Sequence, residues 1–260
     1  MSTKKTILSE KELNLLEEII SKFGLIVNFE QVYSLLQEKK DRQSIRKLVS
    51  KFTKNGWLVP IKKGLYTLAS LESRGILSIS PYKIAQVLFQ DSFISFEAAL
   101  QHHGMFDQML RGMVSISTKQ HSTREIQGIR YKFVSVSDEL FFGWMDERVE
   151  NFIVKVASKE RAVLDLIAFN RSEHSMDLIF EKLSEYQTQF DFKQIQILCQ
   201  KYSKTVQKIL GFILDKLSID STYLYNHLMG DKGVVFMTKD SDLYSKKWHL
   251  YFHRQFEGEK

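Results

Sequence analysis

Ile45, Leu48, Val49 and Phe52 recur at three- and four-residue spacing. Gln43, Lys47, Ser50 and Lys54 fall on the opposite side, with Arg46 and Lys51 flanking them. At about 100° per residue this is an amphipathic helix with one apolar and one basic face. Asp41 reads as its N-cap, and Asn55-Gly56 as its end. A helix that greasy on one side needs a backing, and the upstream sequence supplies it. Ser9 with Glu12 forms a capping-box pattern, followed by Leu13, Leu16, Ile20 and Phe23 and a stop at Gly24. Asn28 with Gln31 opens a second helix, whose buried side is Val32, Leu35 and Leu36. Downstream, Trp57–Ile61 and Leu65–Leu68 are β-rich runs joined by the polar turn Lys62-Lys63-Gly64, which reads as a hairpin. Three helices followed by a hairpin predict a winged helix-turn-helix over residues 1–70.

The charge distribution points the same way. The chain of 260 residues has a formal net charge of +6, and residues 1–70 carry all of it, with thirteen bases against seven acids. Within residues 39–63 nine bases face a single acid, Asp41. A lysine cluster by itself is most simply a solvated face, but here it coincides with the motif, and so local an asymmetry predicts a polyanionic partner. A helix entering the major groove needs one face anchored to a core and the other free for phosphates and base edges. The expected DNA-binding residues are therefore Arg42, Gln43, Arg46, Lys47, Ser50, Lys51 and Lys54 on the third helix, with Lys62 and Lys63 at the wing tip. Arg42, Gln43 and Arg46 occupy the N-terminal turns, which in this motif reach the bases. Arginine and glutamine can make bidentate contacts to guanine and adenine.

The rest of the chain predicts an α+β multidomain protein. Residues 71–80 read as a linker. Residues 81–170 read as a mixed α/β domain: Pro81 opens a helix, Ser95 caps another over Phe96–Gly104, and Val114–Ser117, Ile129–Val134, Gly143-Trp144 and Phe152–Val156 are strand candidates. A helix then begins near Lys159. Residues 171–260 read as mainly helical, over about 173–187, 191–202, 203–217 and 221–229, with an aromatic tail from Trp248 to Phe256.

Other chemistry finds little foothold. Cys199, the one cysteine, shares a helix side with Ile195, Leu198 and Tyr202 and reads as a core thiol. His102-His103 cannot aim at one metal from one helix face, and His249 with His253 lacks a third ligand. Asp240-Ser241-Asp242 resembles a metal-binding acidic pair, but without the upstream Gly-Ser turn such sites need it reads as a surface turn. No phosphate-binding glycine loop or nucleophile elbow occurs, so the expectation is a binding protein without cofactor or metal, not an enzyme. No apolar run reaches the roughly 18 residues of a membrane span, and Met1–Lys5 is polar, unlike a signal peptide; a cytoplasmic location is expected.

The middle of the chain resembles a family. Lys63-Gly64-Leu65-Tyr66 ends the wing; Phe93-Ile94-Ser95-Phe96-Glu97-Ala98-Ala99-Leu100-Gln101-His102-His103-Gly104 follows, then Ser117-Thr118, Gly128 before a strand, and Val156-Ala157-Ser158-Lys159-Glu160-Arg161-Ala162-Val163-Leu164-Asp165. In this order and spacing the set, spanning roughly residues 10–170, is similar to the AbiEi antitoxins of type IV abortive-infection toxin–antitoxin systems. Lys204–Phe212 resembles the family's C-terminal domain. The resemblance implies an N-terminal domain that binds inverted repeats in its own promoter and represses the operon, and a C-terminal antitoxin region. The opposed toxin would be a nucleotidyltransferase, countered without a stable complex. Two rival readings are a protein-interaction module that uses the winged domain as a docking platform and an RNA-modifying enzyme built on the α/β domain.

Overall fold

The computed structural model describes residues 8–70, 75–76, 79–110 and 112–257. Most of the expected linker, 71–74 and 77–78, lies outside the described residues. The chain is an α+β protein with ten α-helices and three sheets among the described residues, and it divides into two compact units, one comprising the chain through Leu88 with Glu125–Ile129 and the other the remainder.

The first unit begins with α1 (Glu10–Phe23), β1 (Ile26–Asn28), α2 (Phe29–Leu36) and α3 (Arg42–Lys54), then β2 (Leu58–Lys62), β3 (Leu65–Leu68) and α4 (Pro81–Leu88). Both expected capping boxes form, Ser9 with Glu12 and Asn28 with Gln31, so two helix starts are set locally. The three strands make an antiparallel sheet in the order β1-β3-β2. One core joins Leu16 and Ile19 of α1, Val32 of α2, Ile45, Val49 and Phe52 of α3, and Trp57, Leu58 and Leu68 around the hairpin. The buried stripe of α1 is Leu15, Leu16 and Ile19, whereas Leu13 and Ile20, expected inside, are 46% and 45% exposed. Leu15 and Ile19 compete with Leu13 and Ile20 for the same periodic pattern, so the sequence admitted two rotations of this helix.

α4, expected to open the second domain, groups instead with the first unit. It packs against β2, burying Ile84, Ala85 and Leu88.

The second unit is built on a mixed sheet in which β7, β5, β4, β9 and β8 are neighbours in that order. Its elements run β4 (Ser92–Ile94), α5 (Phe96–His102), β5 (Gly112–Ser117), β7 (Ile129–Ser135), β8 (Trp144–Val149), β9 (Phe152–Ala157) and α6 (Lys159–Phe169), while β6 (Arg124–Ile126) falls mostly in the Glu125–Ile129 stretch of the first unit. Helices α7 (Glu173–Glu185), α8 (Phe192–Cys199), α9 (Lys204–Lys216) and α10 (Thr222–His227) follow, and the chain ends in a small sheet of β10 (Val235–Phe236), β11 (Leu243–Ser245) and β12 (Leu250–Phe252), ordered β10-β12-β11. The expected division at residue 170 does not separate two cores, because α6 packs on α5 and β9 and also on α7, α8 and α9. Every residue from Glu160 to Ile167 is buried. Inside it Arg161 and Asp165 form an ion pair at 2.9 Å, both fully buried, and Asp165 also accepts hydrogen bonds from Ser95 (2.6 Å) and Tyr202 (2.8 Å). Ser95 thus stands at the N-cap position of α5 but donates to Asp165 rather than capping. Cys199 is buried.

Packing in the C-terminal half depends on a missing side chain. A Cβ on Gly211, in the middle of α9, would lie 2.2 Å from the Trp248 ring. Alanine in place of glycine normally strengthens a helix by up to about 1 kcal/mol. Here the overpacking outweighs that gain, and we expect Gly211→Ala to lower stability by about 1–3 kcal/mol in urea unfolding. A stabilised variant would contradict this placement of Trp248.

Candidate nucleic-acid interface

α3 is fixed at its start by Asp41, whose carboxylate accepts from the backbone N–H groups of Gln43 and Ser44, both at 2.9 Å, and from the Ser44 hydroxyl at 2.6 Å. The Ser44 hydrogen bonds hold this carboxyl below its usual range, so the one acid in the basic segment sits at a helix N-terminus, where negative charge is favoured. With Ile45, Val49 and Phe52 in the core, the opposite face is solvent-exposed at Gln43, Arg46, Lys47, Ser50, Lys51 and Lys54. These six expected residues border one open hollow of about 550 Å³, joined by Asn55.

The nine expected residues do not behave alike. Lys47, Lys54 and Lys63 are exposed and have no carboxylate partner among the described residues. Arg46 is exposed, with its guanidinium 5.9 Å from the centre of the Phe29 ring. Arg42 is committed elsewhere. Both its terminal nitrogens bond the Glu30 carboxylate, and its guanidinium lies over Tyr33 at 4.9 Å and Phe29 at 5.2 Å. The Glu30 hydrogen bonds raise its pKa further above the ordinary arginine value. Lys51 reaches Glu12 of α1 at 2.6 Å. These two cations brace α3 against α2 and α1.

Lys62 departs furthest from expectation. Placed at the hairpin tip to meet a phosphate, it is half-buried and donates to the carbonyls of Val87 (3.1 Å) and Leu88 (2.6 Å). The pairing register slips by one residue between Pro60 and Lys62, a β-bulge that breaks the simple alternation of the strand. The last carbonyls of α4 lack helical partners, and an ammonium group at that terminus satisfies two of them. The tip therefore presents Lys63 alone, beside Gly64 at φ +76°, a conformation that suits glycine. The Gly64 carbonyl accepts from the backbone N–H of Phe29 at 2.8 Å, which ties the tip to the start of α2.

This tie creates a second feature that the helical pattern did not reveal. A groove of about 390 Å³ runs between α3 and the hairpin, with Arg46, Ser50 and Lys54 on one wall and Phe29, Pro60 and Tyr66 on the other. Tyr66 was visible only as a strand residue and Phe29 only as the residue after an N-cap; no local signal sets them opposite Arg46. Among the described residues no group of three His, Cys, Asp or Glu could hold a metal ion, and no helix is long and apolar enough to cross a membrane.

No protein-family model and no curated protein matches this sequence. Among solved structures the chain is similar in fold to the crystal structure of the RV2827C protein from Mycobacterium tuberculosis, with a TM-score of 0.70 at 12% identity. The alignment covers 96% of this chain and 93% of that one, so the likeness extends through both units.

Two predictions separate bracing from binding. Lys62→Met keeps the stem but removes the ammonium, and should lower stability by about 1.5–3 kcal/mol in urea unfolding, the range for hydrogen bonds that involve a charged group. In salt titrations with duplex DNA, Lys63→Ala should alter the slope and Lys62→Met should not. The Lys51 hydrogen bond, helped by the Ser9 backbone, lowers the pKa of Glu12 below 4.5. Its stabilising effect is complete above that value and fades as pH falls through the lower, folded-state value. Glu12→Gln should therefore be less stable than the parent at pH 7 by about 1 kcal/mol, the upper end for a surface pair, because only the Lys51 side is open to solvent, with the gap closing as pH falls below 4.5. A gap that persisted in acid would place the effect outside this ion pair.

Proposed function

We propose that this protein is a sequence-specific duplex-DNA-binding repressor whose first unit works as a winged helix-turn-helix. In this reading α3 lies in the major groove and the β2–β3 hairpin follows the backbone. The observation that carries it is the face of α3 on which Gln43, Arg46, Lys47, Ser50 and Lys54 stand exposed, while the reverse side is bound into the core. Lys47, Lys54 and Lys63 would neutralise phosphates. Gln43 and Arg46 are the groups equipped to read bases, by bidentate contacts to adenine and guanine. Arg42 and Lys51 would hold the angle at which the helix is presented. Phe29, Pro60 and Tyr66, across the groove from Arg46, offer apolar contact to sugars or thymine methyl groups.

The resemblance to AbiEi antitoxins supplies the biological setting: binding of inverted repeats in the protein's own promoter, and an antitoxin activity of the second unit against a nucleotidyltransferase. The similar fold of the mycobacterial protein agrees with a two-unit chain of this length and carries no function across.

Gel-shift and salt titrations on the DNA upstream of the gene test the reading. Lys47→Ala with Lys54→Ala should reduce the slope of log K against log salt by about 2, because each lost phosphate contact releases about 0.9 fewer counterions. Arg46→Ala should cost about 1–3 kcal/mol at one base position and relax the preference there, with the salt slope little changed. An unaltered slope in the double lysine variant would defeat the assignment.

A further inference from the structure

The small C-terminal sheet carries a row of partly exposed aromatic rings on one side. Phe236 pairs in register with Tyr251, and Tyr244 pairs with Tyr251 from the other strand, so the three rings form one row across β10, β12 and β11. The Phe236 and Tyr251 rings stack at 4.7 Å and 10°, and those of Tyr251 and Tyr244 approach to 5.0 Å. The opposite side of the same strands is core: Leu250 and Phe252 are buried, and Phe252 meets Phe212 of α9 at 4.5 Å. At the two ends of the row Phe236 and Tyr244 remain 50% and 44% exposed. Cross-strand stacking accounts for the inner faces of these rings but not for the half of Phe236 left in water on an edge strand, and a contiguous exposed row of that kind marks a binding surface.

The charges around the row select the occupant. Beside Phe236 lies a cavity of about 400 Å³ bordered by Arg171 and Lys239, and Arg171 donates to the Phe236 carbonyl at 3.5 Å. Because β10 runs parallel to β12 and β11 antiparallel to it, the end where β10 begins is also the end where β11 finishes, and that end carries the exposed Lys232 and Lys246. None of Lys232, Lys239 and Lys246 has a carboxylate partner among the described residues. Of the acids in residues 230–257, Asp231 and Asp242 are each paired with a cation, leaving Asp240 and Glu257. Stacked rings between uncompensated cations match bases with phosphates on either side. Only an unpaired strand exposes its base faces; a duplex buries them in its own stack.

We propose that this sheet face binds single-stranded nucleic acid, with bases stacked on the exposed surfaces of Phe236 and of Tyr244, whose hydroxyl is hydrogen-bonded with His249 Nδ1 at 2.8 Å, and phosphates held by Arg171 and Lys239 at one end and Lys232 and Lys246 at the other. The site is separate from the α3 face and calls for a ligand of different form.

Fluorescence anisotropy of the full chain with a short labelled uridine oligoribonucleotide, and with its deoxy counterpart, tests the proposal. Base stacking on an aromatic side chain implies that Phe236→Ala and Tyr244→Ala each weaken binding about tenfold or more. Phe236→Leu, which keeps the apolar bulk without the ring, should lose as much, while Phe236→Trp should hold or tighten. Lys239→Glu should weaken binding. Lys47→Ala with Lys54→Ala should leave it unchanged, so a failure of the duplex-binding reading would not touch this result. Tighter binding of the ribo strand would identify RNA as the source; equal binding would leave the site blind to the 2′-hydroxyl and still support it. Undiminished binding in Phe236→Leu, or a dimer in sedimentation that Phe236→Ala and Tyr244→Ala dissociate while the oligonucleotide fails to bind, would overturn the proposal.

Discussion

The seating of Ile45, Val49 and Phe52 in the first core decides what every charged group on α3 can reach. These side chains fix the rotation of the helix about its axis, and a helix position advances by about 100°, so a shift of one residue would turn Lys47 and Ser50 towards the flank. Apolar burial sets the rotation and ion pairs set the tilt. Glu12 of α1 holds Lys51 and Glu30 of α2 holds Arg42, one carboxylate from each neighbouring helix. Exposed pairs of this kind contribute little stability. Their consequence is geometric, since each pairs a cation of α3 with a carboxylate of a neighbouring helix and so holds the helix against it. Lys62 follows the same logic at the hairpin, satisfying carbonyls of α4 and joining that helix to the first unit.

In the second unit the comparable element is α6. Its Arg161–Asp165 pair is fully buried, with the guanidinium 4.4 Å from the Phe142 ring and 5.2 Å from Tyr202. Desolvating two charges costs several kcal/mol, and such a pair is tolerated only when the remaining lone pairs are satisfied. Ser95 and Tyr202 do this for the carboxylate, and through them the end of β4 and the turn after α8 are fixed to one helix. A cluster that draws partners from so many elements explains why the sheet region and the helical region share a core instead of parting near residue 170.

Local signals in the sequence were legible and long-range ones were not. Caps at Ser9, Asn28 and Asp41 and the glycine after α1 placed the first three helices within a residue or two of where they lie, because each is an interaction between neighbours in the chain. The rotation of α1 could not be read, since Leu13, Leu15, Leu16, Ile19 and Ile20 leave two apolar stripes and only the packed neighbours choose between them. β4, three residues wholly buried in mid-sheet, shows no alternation to detect. Of the candidate site, composition and spacing showed which residues are basic and outward, but not which cations are spoken for: Glu12 lies 39 residues from Lys51, and Val87 lies 25 from Lys62. The aromatic row of Phe236, Tyr244 and Tyr251 depends on a strand register, and strands two or three residues long announce none.

The count of free cations bears on how a duplex would be held. With Arg42, Lys51 and Lys62 engaged in bracing and Arg46 assigned to a base, Lys47, Lys54 and Lys63 remain for phosphates on the α3 face and hairpin tip. Three phosphate contacts give a salt slope of about −2.7, so a fourfold rise in salt would weaken binding only about 40-fold, against the 10³–10⁵ typical of proteins making six to ten contacts. One copy of this surface would therefore be a light electrostatic anchor, and a specific site would draw the rest of its affinity from base contacts or from a second copy on an adjoining half-site. Two copies on an inverted repeat double the phosphate count and bring the total into the ordinary range for an operator-binding protein. On the proposed reading, the diversion of three cations into bracing thus favours a mode of binding in which neither half-site suffices alone.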